Sequence, residues 1–369
     1  MRFGIEFEYM LIDTCGPERG RVRDFGNLDY REITRMLGDK PGCDDPRLST
    51  GDLGIRSGYW YLEGDERFDE RGQFRTFVVK GIEVRTPPAD SVAAAVSELL
   101  ELETLLSERL APHGLGLAIN SYNPVRAGYV HEPPLNEWER RLRRSEPSYD
   151  GSLVSTLTYG PDVNLSVPDW DELRSLDAAR KLHAYSPYIV PFSFSSPYYA
   201  GQPWGGVSKR TWERAGHRPV VKLYFDMQRS GQLGLRSSLV HEARSAYEHG
   251  RIEFKTFDAM PSAELLTACA QVLAGICLDD QLPLRGEVAD VSLYRRAALR
   301  GFDDDEVRAG ASEVLEHAER ALTRSGQSDA ALAFEPLWNM LDARRTPADE
   351  LLALTPHRTR LYWPGGLAH

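Results

Sequence analysis

An α+β fold with a helical C-terminal portion is predicted by three observations. Strand-like runs recur at 2–12, 59–63, 74–86, 160–168 and 250–258, and within four of them, all but 59–63, apolar and polar residues alternate with the period-two signature of half-buried strands. A long helical pattern capped by Asp90 or Ser91 runs among them to Leu110. From Pro261 onward the apolar spacing is helical to the end of the chain. At 369 residues the chain could form two domains or one large one. No linker, repeat or low-complexity tract divides it, so one domain over 1–369 is expected, with a mixed core at 1–285 and a helical portion at 286–369.

The elements follow in order. Residues 2–12 open as a strand, and 13–57, rich in Gly, Asp and Pro, suit an excursion with one short helix near 28–37. Tyr59–Glu63 and Phe74–Thr86 form a hairpin around a polar, Gly-containing connection. The helix ending at Leu110 carries Val92, Val96, Leu99, Leu102 and Leu106 on or near one face. Residues 111–120 read as a strand entering the turn Asn120–Pro124, and 126–158 as loop with a short helix around Leu135–Arg144. Gly160–Pro168 is a strand, Trp170–Tyr185 a helix, and Ser186–Trp204 an aromatic, Ser- and Pro-rich stretch followed by Gly205-Gly206. Gly250–Asp258 is the last strand. Helices follow from Pro261 to about Leu278, over Asp303–Ser325 and over Pro347–Leu354.

Composition narrows the function. Hydrophobic residues at 41% and charged residues at 27% exclude wholesale disorder. Lys and Arg number 44 against 55 Asp and Glu, a net charge of -11, which opposes general nucleic-acid or anionic-membrane binding yet permits a local basic pocket for phosphate. Cys15, Cys43, Cys269 and Cys277 form no C-x-x-C pair and no zinc-like spacing with His. Cys269 and Cys277 lie in an apolar stretch and read as buried free thiols, which suits a reducing cytoplasm. Two acids in the first eight residues spoil a signal peptide, and no run approaches the roughly 18 apolar residues of a membrane span. A cytoplasmic location, with no membrane or nucleic-acid partner, is expected.

Chemistry gathers on the strands. In Gly4-Ile5-Glu6-Phe7-Glu8-Tyr9, Glu6 and Glu8 share one face while Ile5, Phe7 and Tyr9 take the other. Glu83 and Arg85 face away from Ile82 and Val84; Asp162, Asn164 and Ser166 away from Val163 and Leu165; Glu253 and Lys255 away from Ile252 and Phe254. For any one strand, a wet polar face suffices. Asp and Glu are nevertheless depleted in strands, and in a common sheet Glu6, Glu8, Glu83, Asp162 and Glu253 would converge. Their mutual repulsion would raise their pKa values. A divalent cation removes that conflict, and an all-oxygen set suits Mg²⁺ or Mn²⁺. Arg85 and Lys255 could then meet phosphate or a substrate carboxylate. Gly205-Gly206 is by default a loop hinge, since no Walker A or G-x-G-x-x-G motif is present. His183 and His241 read as helix or loop histidines, Trp60 and Trp204 as packing groups, and Arg140–Arg144 as a solvated helix face.

These segments resemble, in order, the motifs of the glutamate–cysteine ligase / carboxylate–amine ligase family, related to glutamine synthetase. Gly4–Tyr9 resembles its N-terminal G-x-E-x-E strand and Gly81–Pro87 its second strand. Gly160–Ser166 is similar to its G-x-H-x-N-x-S strand, Ser195–Gly201 with Gly205–Arg210 to its S-x-S-P…G-x-x-S-x-R segment, and Arg251–Asp258 to its E-x-R-x-x-D strand. The match runs from residue 3 to about 278. It implies a curved antiparallel sheet of about six strands backed by helices. It implies Glu6, Glu8, Glu83, Asp162 and Glu253 as metal ligands, with Arg85, Arg210 and Lys255 as catalytic cations. Asn164, Ser166, Ser208 and Arg210 would bind nucleotide or substrate. Two positions depart from the pattern: Asp162 where the family often has His, and Lys255 where it has Arg, which alone offers the bidentate fork. The turn Ser121–Pro124 also lacks the family's His.

The resemblance implies an ATP-dependent ligase that joins a carboxylate, glutamate by default, to cysteine or another amine through an acyl phosphate. Two or three Mg²⁺ ions would bridge the phosphates. A homodimer is compatible with it. The alternative is a family-shaped binding or regulatory protein without catalysis; ADP release across a panel of acids and amines separates the two.

Overall fold

The computed structural model describes residues 1–45, 48, 58–145, 153–226, 237–354 and 361–367. Its strands are β1 (Arg2–Asp13), β2 (Val22–Arg23), β3 (Trp60–Phe68), β4 (Phe74–Arg85), β5 (Leu115–Ile119), β6 (Pro161–Ser166), β7 (Tyr198–Tyr199), β8 (Gln202–Pro203), β9 (Val221–Phe225), β10 (Val240–Glu242), β11 (Arg251–Phe254) and β12 (Trp363–Pro364). The main path of the sheet runs β10-β9-β11-β6-β1-β4-β3, with β2, β5 and β12 attached beside it. β1 is central because its length serves two sets of neighbours. Its first half pairs with β6 and its middle with β4, while residues 10–13 pair with β5 and β2, all antiparallel.

Helices α1 (Tyr30–Leu37), α2 (Val92–Leu110), α3 (Glu137–Ser145), α4 (Glu172–Ile189), α5 (Lys209–Arg214) and α6 (Ala263–Leu278) intersperse the strands. After them come α7 (Val291–Arg300), α8 (Asp305–Arg324), α9 (Ser328–Leu332), α10 (Glu335–Ala343) and α11 (Pro347–Ala353). Side-chain caps start several of them: Asp29 for α1, Ser91 for α2, Asp171 for α4 and Ser262 for α6 each accept backbone N–H groups that the first turn leaves unpaired. Ile5, Phe7, Ile82, Val84, Val163, Leu165, Ile252 and Phe254, the apolar alternates of the four strands, are buried. They share one core with Leu99 of α2, Leu182 of α4 and Leu273 of α6. Leu293, Val307, Leu315, Phe334 and Leu337 of the C-terminal helices belong to that same core.

The antiparallel, helix-backed sheet is as expected, with seven strands along its main path. Three differences have local causes. β9 and β10 carry no strand expectation, being five and three residues long, too short for periodicity to distinguish from loop; they pair in parallel at the edge. The chain after α6 is not helical throughout, since Trp363 and Pro364 pair with Ile119 and Ala118 of β5. Residues 111–113 form a 3-10 turn before β5, closed by Gly114 at φ +69°. No helix among the described residues is long and apolar enough to cross a membrane.

Candidate active site

The polar face of the sheet floors a cavity of about 1080 Å³. Residues directly opposite in antiparallel strands share a face, and the register therefore assembles the site. Glu6 lies opposite Asp162 on one side and Arg85 on the other, Glu8 opposite Glu83, Tyr61 opposite Glu83, and Glu253 opposite both Asn164 and Lys222. Glu6, Glu8, Glu83, Asp162 and Glu253 all line the cavity. They fall into two groups, Glu6–Asp162–Glu253 and Glu8–Glu63–Glu83, each with one carboxylate oxygen per residue within 4.8 Å of the others.

Glu63 is absent from the sequence expectation, and so is Lys80. Glu63 shares the face of Tyr61 by alternation, and Lys80 arrives through an irregularity beside it. Between Glu63 and Gly64 the register of β3 on β4 shifts, because Gly81 faces Glu63 while Val79 faces Gly64, and Lys80 is the extra residue. Such a bulge re-aims side chains. Here it turns Lys80 and Glu83, three apart, to the same cavity. Glycine is required on both strands: a Cβ on Gly81 would sit 2.2 Å from the Tyr9 carbonyl oxygen, and one on Gly64 2.0 Å from that of Val78. The two in-strand glycines are the sequence signal that could have revealed the bulge.

Lys80 Nζ donates to Glu8 Oε1 at 2.6 Å and to the Thr158 carbonyl at 2.8 Å, with Glu63 at 3.9 Å. The Gly160 N–H donates to the other oxygen of Glu8 at 2.9 Å. Burial pushes the Glu8 carboxyl up, but the charge and hydrogen bond of Lys80, with Arg210 and Arg214 beyond, bring it below its ordinary value. Glu83 goes the other way: burial first, then Glu63, Glu6, Glu8 and Asp162, hold it well above the ordinary range. Its contact is the Tyr61 hydroxyl, which donates at 2.5 Å.

In the other group Lys255 Nζ is bonded to Asp162 and lies 3.3 Å from Glu253. Burial disfavours the Lys255 ammonium, but Asp162 and Glu253 outweigh it and raise its pKa. Asn164 donates to Glu6 at 3.2 Å and accepts from Arg251 at 2.6 Å. Arg251 stacks 4.1 Å over the Tyr224 ring. Ser166, half-buried at the end of β6, lines the cavity near Arg2. Arg85 reaches it too, its guanidinium 5.1 Å over the Tyr61 ring and its Nε on the Gly58 carbonyl at 2.8 Å.

Cations share the cavity with these acids. Arg210 and Arg214 line it from α5, Arg218 from the connection that follows and Lys222 from β9. Arg210 is buried, donating to the Thr256 and Lys255 carbonyls at 3.0 and 3.2 Å, and its Nε has no hydrogen-bond partner. Burial, then Arg210 and Arg218, drive Arg214 well below its ordinary pKa, so an anion here would relieve both desolvation and like-charge repulsion.

Ser208 does not reach the cavity. Fully buried, it caps α5 by accepting from the Thr211 N–H at 2.9 Å and donates to Asp258, which Ser196 also contacts. Its place in the motif reflects the anchoring of α5, which carries Arg210 and Arg214. His183 lines the cavity from α4 and His241 from strand β10. Arg143 is not part of a solvated face: it bonds Asp65 at 2.6 Å, a carboxylate that also takes the Tyr129 hydroxyl at 3.0 Å and contacts His131 Nδ1 at 3.1 Å. Cys269 and Cys277 are buried and free, and Trp60 is core.

Known proteins resemble this chain in sequence and in fold. A Chromobacterium violaceum protein provisionally named glutamate–cysteine ligase 2 is 30% identical over 223 residues, 54% of this chain and 55% of that protein; the chain thus spans about half the length of this curated relative. A bifunctional glutathione synthetase from Pasteurella multocida superposes with a TM-score of 0.59 at 14% identity, over 98% of this chain and 51% of that one. The glutamate–cysteine ligase of Francisella tularensis, solved in complex with AMP, gives 0.54 at 13% identity, over 100% and 86%. At such identities the two structures speak for the fold alone. The profile described as glutamate–cysteine ligase family 2 matches residues 71–363, and with that span matched the chain belongs to this family.

Proposed function

We propose that this chain is an ATP-dependent ligase that forms an amide bond between a carboxylate and an amine. The observation that carries the proposal is the meeting, in one cavity, of two carboxylate groups with a set of arginines and lysines. An all-oxygen donor set fits Mg²⁺, with Mn²⁺ as the alternative hard ion, and the two carboxylate groups are the candidates to hold it. When bound, the ion offsets charge on the phosphate oxygens of ATP.

The chain's own residues account for the rest. A substrate carboxylate oxygen attacks the γ-phosphorus of ATP, the bond to the bridging oxygen breaks, and ADP leaves. The amine nitrogen then attacks the carbonyl carbon of the acyl phosphate, loses a proton, and phosphate departs. Arg210, Arg214 and Lys222 sit where they can bind the anionic groups of both steps by charge-assisted hydrogen bonds, and Arg85 and Ser166 border the floor. Ser208 acts at one remove, as the cap that positions α5. Family membership makes glutamate the default acid and cysteine or another amine the default acceptor, giving a γ-glutamyl-type product. Four free cysteines suit a reducing compartment.

A binding protein that has lost catalysis is disfavoured by Glu83, a buried carboxylate among other acids, which is costly to retain without a cation. ADP release with Mg²⁺ across a panel of acids and amines tests the proposal. Turnover with one pairing supports it; a folded chain that releases no ADP under any pairing overturns it.

A further inference from the structure

The two departures from the family pattern, Asp162 and Lys255, touch each other. The Lys255 ammonium is bonded to Asp162 and lies 3.3 Å from Glu253 Oε2. Arg251 Nη1 closes the ring, 3.3 Å from Glu253 Oε1 and 3.9 Å from Glu6 Oε1. Every carboxylate of this group therefore has a cation of the chain within ion-pair distance, and Lys222 is the register partner of Glu253 on the next strand. The other group differs at Glu83. Lys80 reaches Glu8 at 2.6 Å and stands 3.9 Å from Glu63. Among the described residues no Lys or Arg forms an ion pair with Glu83.

We propose that Lys255 takes the place of a divalent cation at Glu6–Asp162–Glu253, so that the chain loads its metal at Glu8–Glu63–Glu83 alone. The inference rests on the metal-dependent reading above. An ammonium is compact enough to enter a carboxylate cage, whereas a planar guanidinium is not. Asp162 is the complementary change, since its negative charge is met inside the chain by Lys255. A metal ion entering this group would have to pull two carboxylates off Lys255 and leave a buried ammonium unpaired, which is strongly unfavourable. At Glu8–Glu63–Glu83 the incoming charge instead meets Glu83, a buried carboxylate set among other acids.

The experiment is Mn²⁺ binding to the full chain, counted by electron paramagnetic resonance and isothermal titration, with folding checked by circular dichroism. The wild type is expected to bind one Mn²⁺ tightly. Glu83→Gln should weaken that ion at least tenfold, and Glu253→Gln should leave its affinity within about twofold. Lys255→Met, and equally Lys255→Gln, should add a second ion. Two ions on the wild type, unchanged stoichiometry in both Lys255 variants, or equal losses in Glu83→Gln and Glu253→Gln overturn the inference while leaving the metal reading intact. A wild type that binds no Mn²⁺ overturns the metal reading and this inference together.

Discussion

Glu139, at the start of α3, takes four hydrogen bonds: from Arg67 Nε at 2.8 Å and Nη2 at 3.2 Å, and from the Phe68 and Asn136 backbone N–H groups at 2.9 Å each. Burial alone would raise its pKa, but these donors outweigh it and hold the carboxyl at about 2. Because the folded value is depressed, the stabilisation is present above the unfolded pKa of 4.5 and is lost as pH falls toward about 2. The shift corresponds to about 3 kcal/mol. Glu139→Gln should cost about 3 kcal/mol near neutral pH and flatten acid unfolding in that window, as measured by urea titration at several pH values. Glu83 has the opposite sign. Its folded pKa is raised, so the protonated folded form is favoured and stability falls as pH rises through that value. In the presence of a chelator at neutral pH, Glu83→Gln should therefore raise the melting temperature, and it should abolish any stabilisation by Mn²⁺. A melting temperature unchanged or lowered with chelator would refute the assignment of a strained carboxylate.

At the scale of the element, Gly81→Ala forces a Cβ to within 2.2 Å of the Tyr9 carbonyl, and β1 and β4 must part. A loss of about 3 kcal/mol or more is expected from this overpacking, read as a shift of the denaturation midpoint; a wild-type midpoint would mean that the two strands separate freely. The strands β1, β4, β6 and β11 also show what a sequence discloses. Strict alternation placed Glu6, Glu8, Glu83, Asp162 and Glu253 on polar faces, and the sheet brings all five to one cavity. Alternation could not disclose Lys80, because the bulge breaks the period that the argument uses. Glu63 keeps the face of Tyr61 and is hidden only by standing at the end of an otherwise apolar run. β9, which supplies Lys222, is too short for its pattern to be distinctive. Ser208 shows a different limit: a motif position says that a residue matters, while its partners Asp258 and Thr211 say how.

Across the whole molecule, one contiguous core joins Phe3 of β1 to Leu337 of α10 and includes helices on both sides of residue 285. Shared packing couples their unfolding, so a single cooperative transition is expected in guanidinium chloride, coincident by far-ultraviolet circular dichroism and tryptophan fluorescence. Two separated transitions would divide the C-terminal helices from the sheet. The cavity in turn depends on the whole path of strands: its acids come from β1, β3, β4, β6 and β11, and its cations from β4, β9, β11 and α5 among others.

The bulge has a consequence for chain length. Before it, Phe77 and Val79 are core residues at odd positions; after it, Ile82 and Val84 are core residues at even ones. Removing Lys80 would make β4 an unbroken alternating strand, with Glu63 still facing Gly81, Gly64 still facing Val79, and all four core residues on their present side. Lys80 thus stands in the strand as one added residue, and the ammonium it brings to Glu8 depends on the length of β4 and not on how either half of the core is packed.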